Sequence, residues 1–376
     1  MAGRHAILSP SSAHRWMACP PSARFEEQIP EEASPYAAEG TLAHELAALL
    51  LSVRAGLYKG SQKELNAELG RIESNPLYNA EMMDHCESYA EFVAGKGGEI
   101  LIEHTYDLSE YIPLSFGTAD ATNLCKETIH ITDFKYGAGV RVGATANKQM
   151  MCYGLGAYGA AVKKGLAPGT VSLSIFQPRA GGYSSWDILT SDLLEWAEKE
   201  AKPKAMEAIA GAGDFCPGDH CRFCKARTRC KAYYDRFADL KNIWDKRQMT
   251  ESDTATVLTY GPLISSWVKK VTEECTARMS KGESIPGFKL VAGRSVRSFR
   301  SEDDAVDILL GAGYESHQIF EPKLKSLTAI EGIVGPKRFR ELFGSCLVTQ
   351  QGAPKIATES DDRPAIGVSL ADEYDN

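Results

Sequence analysis

The sequence predicts an α/β fold in which helices pack on a central β-sheet. The run from Glu127 to Thr132 alternates polar and apolar residues, which is the pattern of a strand. Segments with apolar residues at helical spacing precede and follow this strand. We predict further strands at 99–106, 171–177 and 183–188, and helices at 13–17, 37–53, 79–94, 149–162 and 192–210. A sheet with helices on its faces is the arrangement that buries the apolar side of both kinds of element.

Two carboxylates and an ammonium group are predicted to meet at one end of this sheet. Asp133 and Lys135 lie two apart on a strand, so both side chains point to one face, while Phe134 points to the other. A turn at 123–126 would fold the segment that carries Asp120 back antiparallel to this strand. The three polar side chains therefore converge, although they are distributed over 16 positions of the chain.

The polar residue types at this sheet end point to metal chemistry. Carboxylates held close together bind hard divalent cations such as Mg²⁺ or Mn²⁺, because these ions prefer oxygen ligands. Gln149 and Tyr153 follow on one face of a predicted helix, four residues apart. The alternative for Asp133 and Lys135 is a surface ion pair, worth ~0–1 kcal/mol. The apolar residues beside them favour a central strand over a solvated hairpin.

The motifs, in this order, resemble the PD-(D/E)XK nuclease superfamily, and specifically its RecB-like branch. In that branch a histidine on an early helix supplies a metal ligand within a Gly-x-x-x-His pattern, which residues 40–44 match. The resemblance covers roughly residues 1–240. It implies a nuclease core whose metal ligands are His44, Asp120, Asp133 and the backbone carbonyl of Phe134. It also implies that Lys135 acts on the attacking water or the transition-state charge, and that Gln149 and Tyr153 position the substrate or the metal's surroundings.

Glu103, on the strand predicted at 99–106, is a further acidic residue that would approach this metal site. A solvated glutamate at a strand edge explains it equally well, so we do not include Glu103 among the predicted ligands.

Five of the ten cysteines fall at ligand-like positions. Cys221, Cys224 and Cys230 form a C-x₂-C-x₅-C motif, and the lysines and arginines nearby favour the thiolate form. Because a tetrahedral or cubane site needs four ligands, one more must come from elsewhere. The candidates are Cys216, His220 and the distant Cys19. Zn²⁺ bound by four local groups is one interpretation.

The resemblance favours an iron–sulfur cluster. RecB-like nucleases of the AddB type and CRISPR-associated adaptation nucleases place one cysteine before the nuclease core and three after it, and these four hold a [4Fe–4S] cluster. Cys19, Cys221, Cys224 and Cys230 are similar in order and spacing, which leaves Cys216 surplus. Such a cluster would tie the start of the chain to the end of the core, and its binding free energy would contribute to folding.

The end of the motifs predicts two parts of the chain. We assign residues 1–248 to the nuclease domain, including the cysteine motif, and 249–376 to a smaller, mainly helical region with a disordered acidic tail. Helices are predicted in the second part at 250–281, 301–310, 327–334 and 336–343, and a strand at 286–291.

The composition and the absence of certain motifs bear on where the protein acts and on whether it could use ATP. A net charge of −8 neither supports nor excludes a nuclease. The chain has no run of about 18 apolar residues and no apolar secretory segment near its first residue, so we expect a cytoplasmic protein that does not engage a membrane. If the protein is phage-encoded, this is the cytoplasm of the bacterial host. No G-x₄-G-K-[S/T] motif occurs, so ATP-driven unwinding would come from another chain.

The resemblance implies a divalent-metal-dependent DNA nuclease, an exonuclease that acts on DNA ends in phage recombination or DNA processing. DNA is then the partner, with a recombination or helicase protein as a second one. The alternative is a non-catalytic DNA-binding or assembly module that keeps the nuclease fold and a structural metal site. The complete set of predicted catalytic residues argues against this alternative, because a decayed site is expected to have lost Asp133 or Lys135.

Overall fold

A five-stranded mixed sheet forms the centre of the structure, as the sequence predicts. The strands are β1 (Glu99–Asp107), β2 (Phe116–Leu124), β3 (Thr128–Phe134), β4 (Thr170–Gln177) and β5 (Gly182–Leu189). Their order in the sheet is their order in the chain, and every neighbouring pair is antiparallel except β3 and β4. A parallel pair needs a crossover connection, and the helix Lys148–Lys163 lies in the connection between those two strands.

The computed structural model describes residues 6–27, 29, 35–137, 139–244, 247–289, 291, 306, 308, 310–311 and 335–343. The helices are α1 (Ala13–Ala18), α2 (Ser22–Glu27), α3 (Pro35–Arg54), α4 (Gln62–Glu73), α5 (Ala80–Ala94), α6 (Lys148–Lys163), α7 (Thr190–Trp196), α8 (Lys202–Ala210), α9 (Lys231–Asp235), α10 (Lys241–Trp244), α11 (Glu251–Ser280) and α12 (Pro336–Phe343). Among the helices described, none combines the length and the apolar character that a membrane span requires.

Both faces of the sheet are covered by helices. Ile129 and Ile131 of β3 pack with Met150 of α6 in one core, whereas Phe134 packs with Tyr89 of α5 in the other. Alternate residues of β3 thus enter different cores, which is why the strand is apolar on both sides. This burial fixes the register of β3, because a shift by one residue would exchange the two faces.

The N-terminal segment packs against the same end of the sheet that carries the predicted site. A short 3₁₀-helix, Pro10–Ser12, precedes α1 and lies against Gly117 of β2. A side chain at Gly117 would collide with it, because an added Cβ would lie 2.5 Å from Cγ of Pro10 and 2.9 Å from Cε1 of Tyr153. Glycine is therefore needed here for close packing of the segment onto the strand.

The helices include an addition to the sequence prediction, and the kink or break that Pro203 predicts in a second helix is present. The helix α4 was not predicted, although Ser61 and Glu64 form a capping box at its start. The helix predicted at 192–210 is divided into α7, a π-helical turn at Ala197–Ala201, and α8, which has Pro203 in its first turn. Proline lacks a backbone N–H, so the regular ladder cannot continue through it, and the π-turn accommodates the interruption.

The chain divides into two compact units, 1–298 and 299–376. The helix α11 belongs to the first unit, and Glu274 on it accepts hydrogen bonds from Thr228 and Arg229 in the cysteine-rich segment. The boundary at 248/249 stays a prediction, but a chain that ends there would lose these contacts. In the second unit, α12 confirms the helix predicted at 336–343.

The other elements predicted after α11 have mixed outcomes. The strand predicted at 286–291 is wrong for the described residues, since Pro286 and Gly287 form a turn in which Gly287 has a φ of +80°. The helix predicted at 301–310 falls largely outside the described residues, and the helix predicted at 327–334 falls wholly outside them.

Candidate active site

The candidate site lies where β2 and β3 separate. The ladder between these antiparallel strands ends at the pair Ala121 and Thr132, and the antiparallel pairing confirms the predicted turn. One residue further along β2, Oδ2 of Asp120 accepts a hydrogen bond of 2.7 Å from the backbone N–H of Phe134. The carboxylate thus satisfies a backbone donor that a continued ladder would otherwise have paired, which fixes the separation of the two strand ends.

His44 reaches the same point from α3. Its Nδ1 lies 3.3 Å from Oδ1 of Asp120, and its ring packs against that of Phe134 with centroids 5.5 Å apart. Burial lowers the pKa of His44, but the hydrogen bond to Asp120 and the charges of Asp120 and Asp133 outweigh it, so the pKa is raised overall. The imidazole therefore stands among groups that attract a cation.

Asp133 is at the centre of a second, connected set of contacts. The carboxylate is 4% exposed, its Oδ2 lies 2.8 Å from Nζ of Lys135, and its Oδ1 accepts a hydrogen bond of 3.1 Å from Nε2 of Gln149. The same Gln149 nitrogen lies 3.3 Å from the hydroxyl of Tyr153. Burial raises the pKa of Asp133, although the adjacent Lys135 charge opposes the shift. Gln149 thus orients the carboxylate of Asp133, and Tyr153 contacts Gln149 on the same helix.

Glu103 joins His44 and Asp120 in the structure. One ligand atom from each of these residues lies within 4.8 Å of the others, and no other set of three such His, Cys, Asp or Glu atoms occurs among the described residues. The register of β1 against β2 puts Glu103 opposite Asp120, although that pair is missing from the ladder. Burial by the surrounding protein and the charge of Asp120 raise the pKa of Glu103 to about 7.

The backbone of Glu103 is in an unusual conformation for its residue type. Its φ is +47°, in the left-handed region, which costs a residue other than glycine about 1–2 kcal/mol. This conformation occurs within a strand, at the position opposite Asp120. The strand is thus locally distorted where Glu103 faces the other two ligand candidates.

The donor set fits a hard divalent ion. The structure brings together His44, Glu103 and Asp120, which offer one imidazole nitrogen and two carboxylates. Asp133 is connected to this set electrostatically but is held by Lys135 and Gln149 instead of belonging to it. The contact recorded for the backbone of Phe134 is its N–H bond to Asp120, and the ligand role of its carbonyl stays a prediction.

Replacing Glu103 by glycine should weaken metal binding while raising the free energy of unfolding. Glycine adopts a positive φ without strain, so we expect the free energy of unfolding to rise by up to about 1 kcal/mol. Loss of the carboxylate should weaken Mn²⁺ binding by ~10–100-fold. Denaturant unfolding in EDTA and calorimetric titration with Mn²⁺ measure the two effects.

Glu99→Gly on the same strand is the matched control for this prediction. Glu99 lies in the regular part of β1 and pairs with Lys164, so its replacement should lower stability by roughly 0.5–1 kcal/mol and leave Mn²⁺ affinity unchanged. Equal losses of stability in both variants would show that Glu103 has no strained, ligand-directed conformation.

The predicted cluster residues line a common pocket, although Cys19 and Cys221 are about 200 residues apart in the chain. Its lining includes Cys19, Cys216, His220, Cys221, Cys224 and Cys230. The backbone N–H of Gly218 donates to Sγ of Cys221 at 3.4 Å, and the N–H of Cys216 donates to the sulfur of Cys19. The side chain of Cys216 is exposed, while those of Cys19 and Cys221 are buried. Cys216 therefore contributes its backbone to the pocket.

Basic neighbours favour the thiolate forms of Cys221 and Cys224, as predicted, but burial opposes them. Burial raises the pKa of Cys224 to about 12 and also raises the pKa values of Cys19 and Cys221. Nearby arginines lower the pKa values of Cys221 and Cys224, but desolvation is the larger effect. Cys19, Cys221 and Cys224 therefore hold their protons unless a metal replaces them.

The spacing of the sulfurs bears on whether the pocket would hold one Zn²⁺ ion or an iron–sulfur cluster. Ligands of one tetrahedral Zn²⁺ lie about 3.8 Å apart, given Zn–S bonds of about 2.3 Å. In the described part of the chain, which includes these five cysteines, no three of their sulfurs lie within 4.8 Å of one another. His220 is engaged elsewhere, since its Nε2 lies 2.9 Å from the carbonyl oxygen of Cys216. No three of these sulfurs are therefore gathered as the ligands of one Zn²⁺ would be.

Comparison with known proteins places the chain in a family but assigns no activity. One solved structure, described as "Crystal structure of SSO0001", is 13% identical over 62% of this chain and 89% of that chain, with a TM-score of 0.29. A family model described as "Protein of unknown function (DUF2800)" matches residues 5–364. The match spans nearly the whole sequence, and the chain therefore belongs to the DUF2800 family.

Proposed function

We propose that this protein is a metal-dependent DNA nuclease of the RecB-like type. The observation that carries the proposal is the arrangement at the separation of β2 and β3. There, an imidazole and two carboxylates lie within 4.8 Å of one another, next to the ion pair of buried Asp133 with half-buried Lys135. A structural ion pair alone would not need the adjacent group of metal-ligand residues. An exonuclease role in phage recombination or DNA processing rests on the resemblance of motif order described above.

Each side chain of the site has a role in this proposal. His44, Glu103 and Asp120 would hold Mg²⁺ or Mn²⁺, with Asp133 beside them. The bound ion would polarise a phosphoryl oxygen and lower the pKa of a water molecule. Lys135 has a raised pKa, because the charge of Asp133 outweighs the effect of its own burial, so it stays protonated at neutral pH. Its ammonium group would stabilise the negative charge that develops on the phosphate.

We further propose that Cys19, Cys221, Cys224 and Cys230 hold a [4Fe–4S] cluster with a structural role. The support is the common pocket, the backbone N–H groups directed at two of its sulfurs, and the finding that no three of the sulfurs lie within 4.8 Å of one another. Such a cluster joins the segment before the sheet to the segment after α8, and thus stabilises the elements between them.

Cleavage of end-labelled DNA tests the proposed function. Single-stranded and double-stranded substrates, with Mg²⁺, Mn²⁺ or EDTA, should give metal-dependent products, and an RNA strand of the same sequence should be cleaved more slowly. Shortening from the labelled or the opposite end would establish exonuclease action and its direction. DNA binding without cleavage under every metal condition would instead indicate a non-catalytic binding or assembly module.

A further inference from the structure

The loop that follows the candidate catalytic strand is held by one buried side chain. Gln177, at the end of β4, is 5% exposed. Its Oε1 accepts a hydrogen bond of 3.0 Å from the backbone N–H of Val142, and its Nε2 donates to the carbonyls of Gly137 at 3.0 Å and Val140 at 2.9 Å. The carboxamide thus uses its acceptor and its donors on the backbone of this loop, which fixes the loop's path.

The loop carries Arg141 at the end of the sheet where the site lies. The guanidinium lies over the turn between β4 and β5, where an added Cβ on Gly181 would be 3.4 Å from its Nε and 3.5 Å from its Cζ. Gly181 has a φ of +103°, so glycine is favoured there by both the backbone and the close approach. The side chain of Arg141 is exposed, and no described residue forms a hydrogen bond or ion pair with its guanidinium.

A second arginine near the same turn, Arg179, does have partners within the protein. Arg179 forms an ion pair of 2.9 Å with Glu39 and lies over the ring of Tyr136, 4.8 Å from its centroid. Its charge is therefore neutralised within the protein. Arg141 lacks such a partner among the described residues, although it lies on a loop that is well anchored. The charge of Arg141 is therefore open to an anion, on a loop whose backbone is fixed by Gln177.

The anchor of this loop is adjacent to the catalytic strand. The backbone N–H of Lys135 donates to the carbonyl of Phe176 at 2.8 Å, and Phe176 immediately precedes Gln177. Val142, which Gln177 holds, directly follows Arg141. The end of β4 is thus hydrogen-bonded both to Lys135 and to Val142, the residue that follows Arg141.

We propose that Arg141 binds a backbone phosphate of the substrate strand beside the one that is cleaved, and that Gln177 is a positioning residue for it. The inference rests on the proposed function and adds a substrate contact to it. Guanidinium groups bind phosphate through two parallel hydrogen bonds. In a protein of net charge −8, local cationic groups of this kind are needed to orient a polyanion.

Salt-dependent binding tests this inference separately from cleavage. The binding of a fluorescent single-stranded oligonucleotide is measured by anisotropy in EDTA, over a series of KCl concentrations. Arg141→Gln should weaken binding about tenfold and reduce the slope of log K against log salt by ~0.7, the loss expected for one phosphate contact. Arg141→Lys should keep the slope. Arg179→Gln, the matched control, should keep both affinity and slope.

DNA binding by Gln177 variants tests whether this residue positions Arg141. Gln177→Ala should reduce the salt slope as Arg141→Gln does, and the double variant should lose no more than either single one. Thermal unfolding compares the stability of all variants, so that a folding defect is recognised by a fall in Tm. The loss should be equal for strands with 5′-hydroxyl and 5′-phosphate ends, since a backbone phosphate is present in both.

Two outcomes would overturn the inference: a wild-type salt slope for Arg141→Gln, or a loss confined to strands with a 5′-phosphate. Wild-type cleavage in Mg²⁺ is measured in parallel. If the wild-type protein cleaves DNA while Arg141→Gln binds it normally, only the role of Arg141 is wrong. If the wild-type protein binds DNA with a slope that depends on Arg141 but never cleaves it, only the proposed nuclease function is wrong.

Discussion

Asp133→Asn should lower the rate of DNA cleavage by a factor of ~10³ or more, the loss expected when a charged group is removed from a metal-assisted reaction. Asparagine has the same shape and still accepts the hydrogen bond from Gln149, so the contact that now measures 3.1 Å is retained. The negative charge that faces Lys135 is lost. Single-turnover cleavage at saturating Mg²⁺ measures the chemical step, and circular dichroism verifies the fold.

Asp187→Asn is the matched control for this variant. Asp187 is an exposed residue of β5 that pairs with Ser172 near the beginning of β4, away from the strand ends that form the site. Its replacement should leave the rate unchanged. If Asp133→Asn cleaves DNA at the wild-type rate, the assignment of the site is wrong, even if the protein is a nuclease.

Cys19→Ala should remove the colour of the cluster and destabilise the whole first unit. A link between Cys19 and Cys221 closes a loop of roughly 200 residues, and the chain-entropy model gives about 5 kcal/mol for a cross-link of that length. Anaerobic purification followed by absorbance, iron and zinc analysis, and denaturant unfolding measures these effects. Cys221→Ala should behave in the same way, because each removes one ligand of the same cluster.

Cys216→Ala provides the control for the cysteine variants. Its side chain is exposed, and its backbone N–H, which donates to the sulfur of Cys19, is unchanged by the substitution. We expect a brown, stable protein. Stoichiometric zinc without iron, or damage equal to that in Cys221→Ala, would make Cys216 the fourth ligand and Cys19 a buried thiol.

The elements of the fold that could be predicted from the sequence have strong local patterns. Strand β3 alternates residue by residue, and its pairing with β2 follows from the short connection between the two strands. The close approach of Asp120, Asp133 and Lys135 follows from that hairpin alone. Gln149 was likewise predictable, because it lies in the first turn of α6, the helix that follows β3 in the chain.

Glu103 and Gln177 needed the structure. The placement of Glu103 depends on the length of the connection between β1 and β2, and a difference of one residue would turn the side chain to the other face. Its positive φ could not be predicted either, because a glutamate does not indicate that conformation in a sequence as a glycine would. Gln177 is a polar residue at a strand end, and its buried position results from a loop whose path the sequence does not specify.

The order of the strands also has a consequence for how the chain folds. Each strand pairs with the next along the chain, so the sheet closes shorter loops than the N-terminal segment does and can form earlier. The segment before α3 is different, because its partners lie far away in the sequence. Arg24 donates to the carbonyl of Ile209, 185 residues later, and Arg15 donates to that of Phe223, 208 residues later. We expect this segment to dock last. Pulsed hydrogen exchange during refolding should therefore protect the amides of β3 and β4 before those of α1. During synthesis, the first 27 residues would leave the ribosome long before the surface that receives them exists.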